Sequence, residues 1–111
     1  MSDLKWSEFE RIEMRVGTIL TVSDFPEAKK PAYQLQIDFG EEIGVLKTSA
    51  QITTQYDRTK LVGKQIVAVV NFPNKQIANF MSECLILGAV DDSNVTLLSP
   101  DIPVKNGLRI G

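Results

Sequence analysis

Cysteine, paired carboxylates and lysine are the residues of this chain that could do chemistry, and their settings decide among them. Cys84 lies in the apolar run Glu83-Cys84-Leu85-Ile86-Leu87. A thiol there reads as a buried, inert strand residue, because a nucleophilic cysteine needs a partly exposed, electropositive setting that stabilises the thiolate. The 111 residues include no histidine. That removes the commonest general base, the usual activator of serine and cysteine, and the commonest metal ligand. One cysteine cannot build a zinc site, and no glycine-rich phosphate loop is present. The pairs Glu41-Glu42 and Asp91-Asp92 fall in expected turns, where they read as solvated charge. The expectation is a binding protein that is not an enzyme, with no metal and no cofactor.

The charge pattern narrows the binding partners. A formal net charge of −2 argues against a general nucleic-acid binder, since non-specific affinity comes from lysine and arginine neutralising phosphates. The cations are uneven, however. From Ile43 to Ser82, Lys47, Arg58, Lys60, Lys64 and Lys75 stand against Asp57 alone, which reads either as a solvated surface or as a basic face. The length fits one domain spanning residues 1–111, and a hydrophobic content of 43% is enough to fold without disulfides or metal. Met1 to Lys5 is polar and no signal-peptide core follows. No apolar run approaches the roughly 20 residues that span a bilayer, so a soluble, cytoplasmic protein is expected.

The elements that position these residues are mostly strands. Ser7 and Glu10 have capping-box spacing, predicting a short helix that turns Phe9 and Ile12 toward the core with Trp6 as a staple. Met14 to Val22 is rich in β-branched residues and reads as a strand bent at Gly17. Between Pro26 and Pro31 lies a loop. Beyond it Tyr33, Leu35, Ile37 and Phe39 alternate with Gln34, Gln36 and Asp38, the pattern of a half-buried strand. Gly40 to Gly44 turns the chain into a hairpin partner, Ala50 to Leu61 is a helical or irregular insert closed by Gly63, and Gln65 to Phe72 reads as a central strand. Glu83 to Val90 repeats that pattern, with a turn at Asp91 to Asn94 and a return strand at Val95 to Leu98. Several short strands with glycine and proline turns indicate a small β-barrel. The tail keeps Ile102, Val104, Leu108 and Ile110 beyond two prolines, so it should dock on the barrel or on a second subunit.

The segments Arg15 to Ile19 (RVGTI), Phe25 to Gly40 (FPEAKKPAYQLQIDFG), Ser49 to Thr53 (SAQIT), Val69 to Leu87 (VVNFPNKQIANFMSECLIL) and the close from Pro103-Val104 to Ile110-Gly111 together carry a resemblance. Across nearly its whole length the chain resembles the tRNA-binding-domain group of OB-folds, and within it the export-related chaperones of the CsaA type. The resemblance implies an all-β, five-stranded OB-fold barrel with a short N-terminal helix and terminal extensions used for dimerisation. It makes Ile102, Val104, Leu108 and Ile110 the dimer interface of a homodimer.

Carried over residue by residue, the resemblance implies tRNA contacts from Lys29 and Lys30, Lys47 and Ser49, and Asn71, Lys75, Ser82 and Glu83. This chain departs from the RNA-binding pattern, with Asn74, Gln76, Asn79 and Met81 where those relatives carry more cations and a glycine. Each missing phosphate contact lowers the salt slope on single strands by about 0.7. For the chaperone-like members the resemblance implies a dimer with an apolar surface for unfolded or export-bound polypeptides. Phe80 and Met81 suit such a surface, because methionine and aromatic side chains adapt to varied partners. Phe72, Phe25 and Tyr33 could line the same surface, with core packing the favoured alternative for all three. Partners implied are therefore a second copy of the chain and preprotein or unfolded polypeptide, with the Sec translocase motor and tRNA as further candidates.

Overall fold

The computed structural model describes residues 2–111. A helix α1 (Trp6–Glu10) leads into the long strand β1 (Met14–Asp24), followed by β2 (Tyr33–Asp38), β3 (Val45–Ala50), a short helix α2 (Arg58–Leu61) and β4 (Gln65–Val69). Five short strands complete the chain: β5 (Lys75–Ile77), β6 (Phe80–Ser82), β7 (Leu85–Ile86), β8 (Gly88–Asp91) and β9 (Asn94–Leu97). The main antiparallel sheet has five strands in the order β3-β2-β1-β4-β7, and two hairpins, β5-β6 and β8-β9, stand beside it. This is a nearly closed five-stranded barrel of the OB type.

β1 serves two neighbours in succession, which is how one strand curls the sheet. Met14 to Thr18 pair with β4, and Thr18 to Asp24 pair with β2. The irregularity falls between Ile19 and Thr21, not at Gly17 as the sequence suggests. Gly17 instead makes room for the core, since a Cβ there would lie 2.7 Å from Ile37 Cγ2 and from the Phe39 ring. Any larger residue would have to displace fully buried neighbours.

The alternation in β2 holds. Tyr33, Leu35, Ile37 and Phe39 all face the interior, where they meet Ile19, Ile52, Leu61, Ile66, Ala68 and Cys84. Leu35, Ile37 and Phe39 are exposed by 1% or less, so truncating any of them to alanine would cost roughly 2–5 kcal/mol. The insert after β3 resolves into turns and α2, capped by the Asp57 carboxylate accepting from the Thr59 N–H at 2.9 Å and closed by Gly63 at φ +91°.

Several local expectations give way to packing. α1 starts earlier than the Ser7/Glu10 spacing suggests: Lys5 is its N-cap and donates its own N–H to the Glu8 carboxylate at 3.0 Å, leaving Ser7 and Trp6 inside the helix. None of its residues is buried; Phe9 is half-buried against the Trp6 ring, and Ile12 is exposed. β4 stops at Val69. The Asn71 amide turns back to accept from the Glu13 N–H (3.1 Å) and donate to the Arg11 carbonyl (2.7 Å), and Pro73 has no N–H to give a ladder, so Phe72 leaves the sheet. The expected strand from Glu83 to Val90 breaks at Leu87, whose N–H bonds the Val67 carbonyl and whose carbonyl accepts from Leu98.

The tail docks on its own barrel. Gly107 donates to the Val16 carbonyl at 2.7 Å, Val16 to Leu108 at 3.0 Å, and Ile110 to Met14 at 2.9 Å. The Gln65 amide holds Val104 at both its N–H (3.0 Å) and its carbonyl (2.7 Å), and Asn106 Oδ1 accepts from Thr18 Oγ1 at 2.8 Å. Gly107 sits at φ +93°, and a Cβ on it would meet the Phe39 carbonyl at 2.6 Å. An ion cluster fastens the same region: Glu13 pairs with Arg15 at 2.8 Å and with Arg109 at 3.0 Å, while Arg15 also donates to the Gly107 carbonyl at 3.0 Å. Ile102 and Leu108 nevertheless stay 66% and 47% exposed.

Candidate functional site

A groove of about 1040 Å³ runs between the β5-β6 hairpin, the loop ahead of β2 and the β8-β9 hairpin. The segment between the strands expected at Gln65 to Phe72 and Glu83 to Val90, which the sequence reads as a loop, folds from Lys75 to Ser82 into a hairpin that forms one wall. Lys75 faces Ser82, Gln76 faces Met81 and Ile77 faces Phe80, with Ala78 at φ 51° in the turn. The sequence signal is two three-residue runs around Ala78-Asn79, but the Asn-Gly or Asp-Gly pair that marks a tight hairpin is lacking. The floor and far wall come from Leu85, Ile86, Leu87, Val95 and Leu97, with Val90 at the rim. In the sequence these residues read as strand positions only, since nothing in their spacing says that their strands stop short of burying them.

Of the residues expected to meet RNA, Lys29, Lys30, Ser49, Lys75 and Ser82 line this groove. The three lysines are exposed, and Glu27 is the one acid among the lining residues. Phe72, expected in the core, also lines it and is 56% exposed. Its neighbour Pro73 continues the apolar lip.

The other expected site residues have structural duties elsewhere. Phe25 and Tyr33 are core residues, 3% and 9% exposed, and present little surface to a ligand. The Tyr33 hydroxyl donates to the Tyr56 carbonyl at 2.7 Å, tying the start of β2 to the insert. Phe80 and Met81 are both half-buried and lie outside the groove lining. The Phe80 ring centroid lies 5.5 Å from that of Phe25, and Lys47 Nζ lies 5.3 Å from the same Phe80 centroid. Asn71 spends its amide on the Arg11 to Glu13 segment, as described above.

Ser82, Glu83 and Thr48 form the seam that closes the barrel. Glu83 donates its N–H to the Lys47 carbonyl at 2.8 Å, and its carboxylate accepts the Lys47 N–H at 2.9 Å. Ser82 Oγ accepts from the Ser49 N–H at 2.9 Å, and the buried Thr48 hydroxyl donates to the Cys84 carbonyl at 2.6 Å. Burial pushes the Cys84 thiol up to about 12, overriding the Thr48 hydrogen bond, so it stays protonated at neutral pH. Among the described residues no group of three or more cysteine, aspartate or glutamate side chains could hold a metal ion.

A family model described as "Putative tRNA binding domain" matches residues 14–109, which takes in every strand and the docked tail up to Arg109. The chain belongs to the tRNA-binding-domain family. Two solved members of this fold are close in shape. The CsaA chaperone from Bacillus anthracis str. Ames superposes with a TM-score of 0.94 at 44% identity, covering 99% of this chain and 100% of that one. The CsaA chaperone protein from Picrophilus torridus gives a TM-score of 0.92 at 50% identity, covering 98% of this chain and 100% of its own. The methionine–tRNA ligase of Pyrococcus horikoshii is 34% identical over 110 residues, 99% of this chain but 15% of the ligase. This tRNA-binding domain therefore corresponds to a small part of that enzyme and to the whole of the chaperone chains.

Proposed function

We propose that the chain is a non-catalytic, homodimeric, cytoplasmic chaperone of the CsaA type that holds unfolded or export-bound polypeptides in the groove between its two hairpins. The observation that carries this is the groove's chemistry: an open apolar floor of Leu85, Ile86, Leu87 and Val95 with Phe72 at its lip, rimmed by Lys29, Lys30 and Lys75. An apolar floor gains about 25 cal/mol per Å² of client surface removed from water and demands no particular sequence. The lysine rim selects against strongly basic segments and steers acidic ones. The full-length match to two chaperone chains supports the same reading.

Structure-specific tRNA binding is the second reading, favoured by the family and by the ligase relative. Three lysines in the groove would give a salt slope of only about −2 on single strands, which makes nucleic acid the weaker ligand.

The test is suppression of aggregation. Added equimolar as dimer to a chemically unfolded client diluted from denaturant, the protein should slow the rise in light scattering, and without any nucleotide. Scattering that rises at the same rate with and without the protein contradicts the proposal.

A further inference from the structure

We infer that the client polypeptide binds as an added β-strand on the open edge of β5, with acidic side chains directed to the lysines of the rim. The inference rests on the polypeptide-binding reading and deepens it by assigning the main chain, rather than side-chain pockets, as the recognised feature.

The edge follows from the hairpin's register. Ile77 faces Phe80 across a two-residue turn, so that pair exchanges both of its hydrogen bonds, and the next pair, Gln76 and Met81, does not. The N–H and C=O of Gln76 therefore point away from β6. Among the described residues neither group has a main-chain or side-chain partner. β6 turns its own outer edge to β3, where Ser82 and Glu83 close the barrel, so β5 alone is left open on the hairpin.

That edge borders the groove. Lys75, Gln76 and Ile77 line it consecutively, as a strand does when seen edge-on, since side chains of one face alone would appear at every second position. An exposed edge is a template for another strand unless it is protected. Pro73 and the short length of β5 limit pairing between copies, while Gln76 keeps a free donor and acceptor. Main-chain pairing gives affinity independent of sequence, and alternate side chains of the added strand would reach the apolar floor.

Charge selects the occupant. Lys29, Lys30 and Lys75 on this side meet Glu27 alone, whereas the tip of the opposite hairpin carries Asp91 and Asp92. The fitting ligand is an extended peptide in which acidic residues alternate with apolar ones, seated against β5 and away from the acidic tip.

The experiment uses a fluorescein-labelled synthetic peptide alternating leucine with glutamate, and two versions N-methylated on all leucine amides or on all glutamate amides. Along a paired strand alternate N–H groups face the partner, so one methylated version should bind at least about tenfold more weakly and the other near the parent affinity. Gln76→Pro, which removes the outward N–H together with the side-chain bond to the Ala78 carbonyl, should weaken the parent peptide to a similar degree with an unchanged near-ultraviolet circular dichroism spectrum, whereas Gln76→Ala, which removes the side-chain bond alone, should bind near the parent affinity. If both methylated peptides bind like the parent, or both weaken equally, strand addition is overturned while polypeptide binding stands. If the parent peptide fails to bind and a labelled oligouridine binds instead, both this inference and the polypeptide reading fall.

Discussion

Glu83 holds Lys47 from two sides, donating its main-chain N–H to the Lys47 carbonyl at 2.8 Å and accepting the Lys47 N–H on its carboxylate at 2.9 Å. One residue thus supplies both halves of a strand-like bridge, and the bridge joins β3 to the segment between β6 and β7. Replacing Glu83 with alanine removes the acceptor and leaves the Lys47 N–H to water. Stability should fall by about 1 kcal/mol, and Glu83→Gln, which keeps an oxygen in place, should lose less. Urea unfolding at neutral pH reads both, and an alanine variant as stable as the parent would show that the seam closes without this contact.

Two phenylalanines separate binding from folding. Phe72 lies exposed on the groove lip, while Phe80 is half-buried in contact with Phe25 and Lys47. Phe72→Ala should leave stability within about 0.5 kcal/mol and weaken polypeptide binding. Phe80→Ala should cost about 1–2 kcal/mol of stability by losing its contacts with Phe25 and Lys47. Paired urea titrations and peptide binding measure the contrast, and the reverse pattern would move the site to the Phe80 corner.

These two residues also mark how far the sequence can be read. The alternation in β2 and the buried Cys84 follow from periodicity, because burial on one face or both leaves its trace in residue type. The barrel's closure does not. It depends on which edge Ser82 and Glu83 reach, and polar residues that satisfy backbone groups look the same in a sequence as polar residues that meet a ligand. The family resemblance makes Asn71, Ser82 and Glu83 RNA contacts, and the structure gives each a hydrogen bond to its own chain that residue type alone does not disclose. Phe72 reads as a core residue because an apolar run carries no sign of where its strand ends. Asn71 and Pro73 end it here, through a side-chain clamp and a missing donor.

The tail should loosen in acid. The Arg15 guanidinium, hydrogen-bonded to Glu13, holds that carboxyl below its ordinary value of 4.5, with Arg109 adding to the effect. A carboxylate whose folded pKa is depressed contributes its stabilisation fully above the unfolded value and loses it as pH falls through the folded one. Amide exchange at Gly107, Leu108 and Ile110, normalised for intrinsic rates, should accelerate below about pH 4.5, an effect absent in Glu13→Gln, whose tail is already loosened. Protection that stays constant down to unfolding would mean the ion cluster does not hold the tail.

The proposed dimer uses the apolar surface that the docked tail still exposes. Ile102 and Leu108 are 66% and 47% exposed, while the Gln65 clamp on Val104 and the Gly107 bond to Val16 fix the backbone beside them. Ile102→Asp combined with Leu108→Asp should convert dimer to monomer in sedimentation equilibrium without unfolding the barrel, since two charges would have to be desolvated to keep the interface. A double variant that remains dimeric places the interface elsewhere.

The central claim is that the groove between the hairpins holds polypeptide in preference to RNA. Fluorescence anisotropy of a labelled, unstructured peptide titrated with the protein at physiological salt, followed by bulk tRNA as competitor, tests it most directly. The account predicts binding that tRNA does not displace and that Phe72→Ala weakens by about tenfold. No peptide binding, or displacement of the peptide by tRNA at low concentration, would contradict it and make Lys29, Lys30 and Lys75 a nucleic-acid surface.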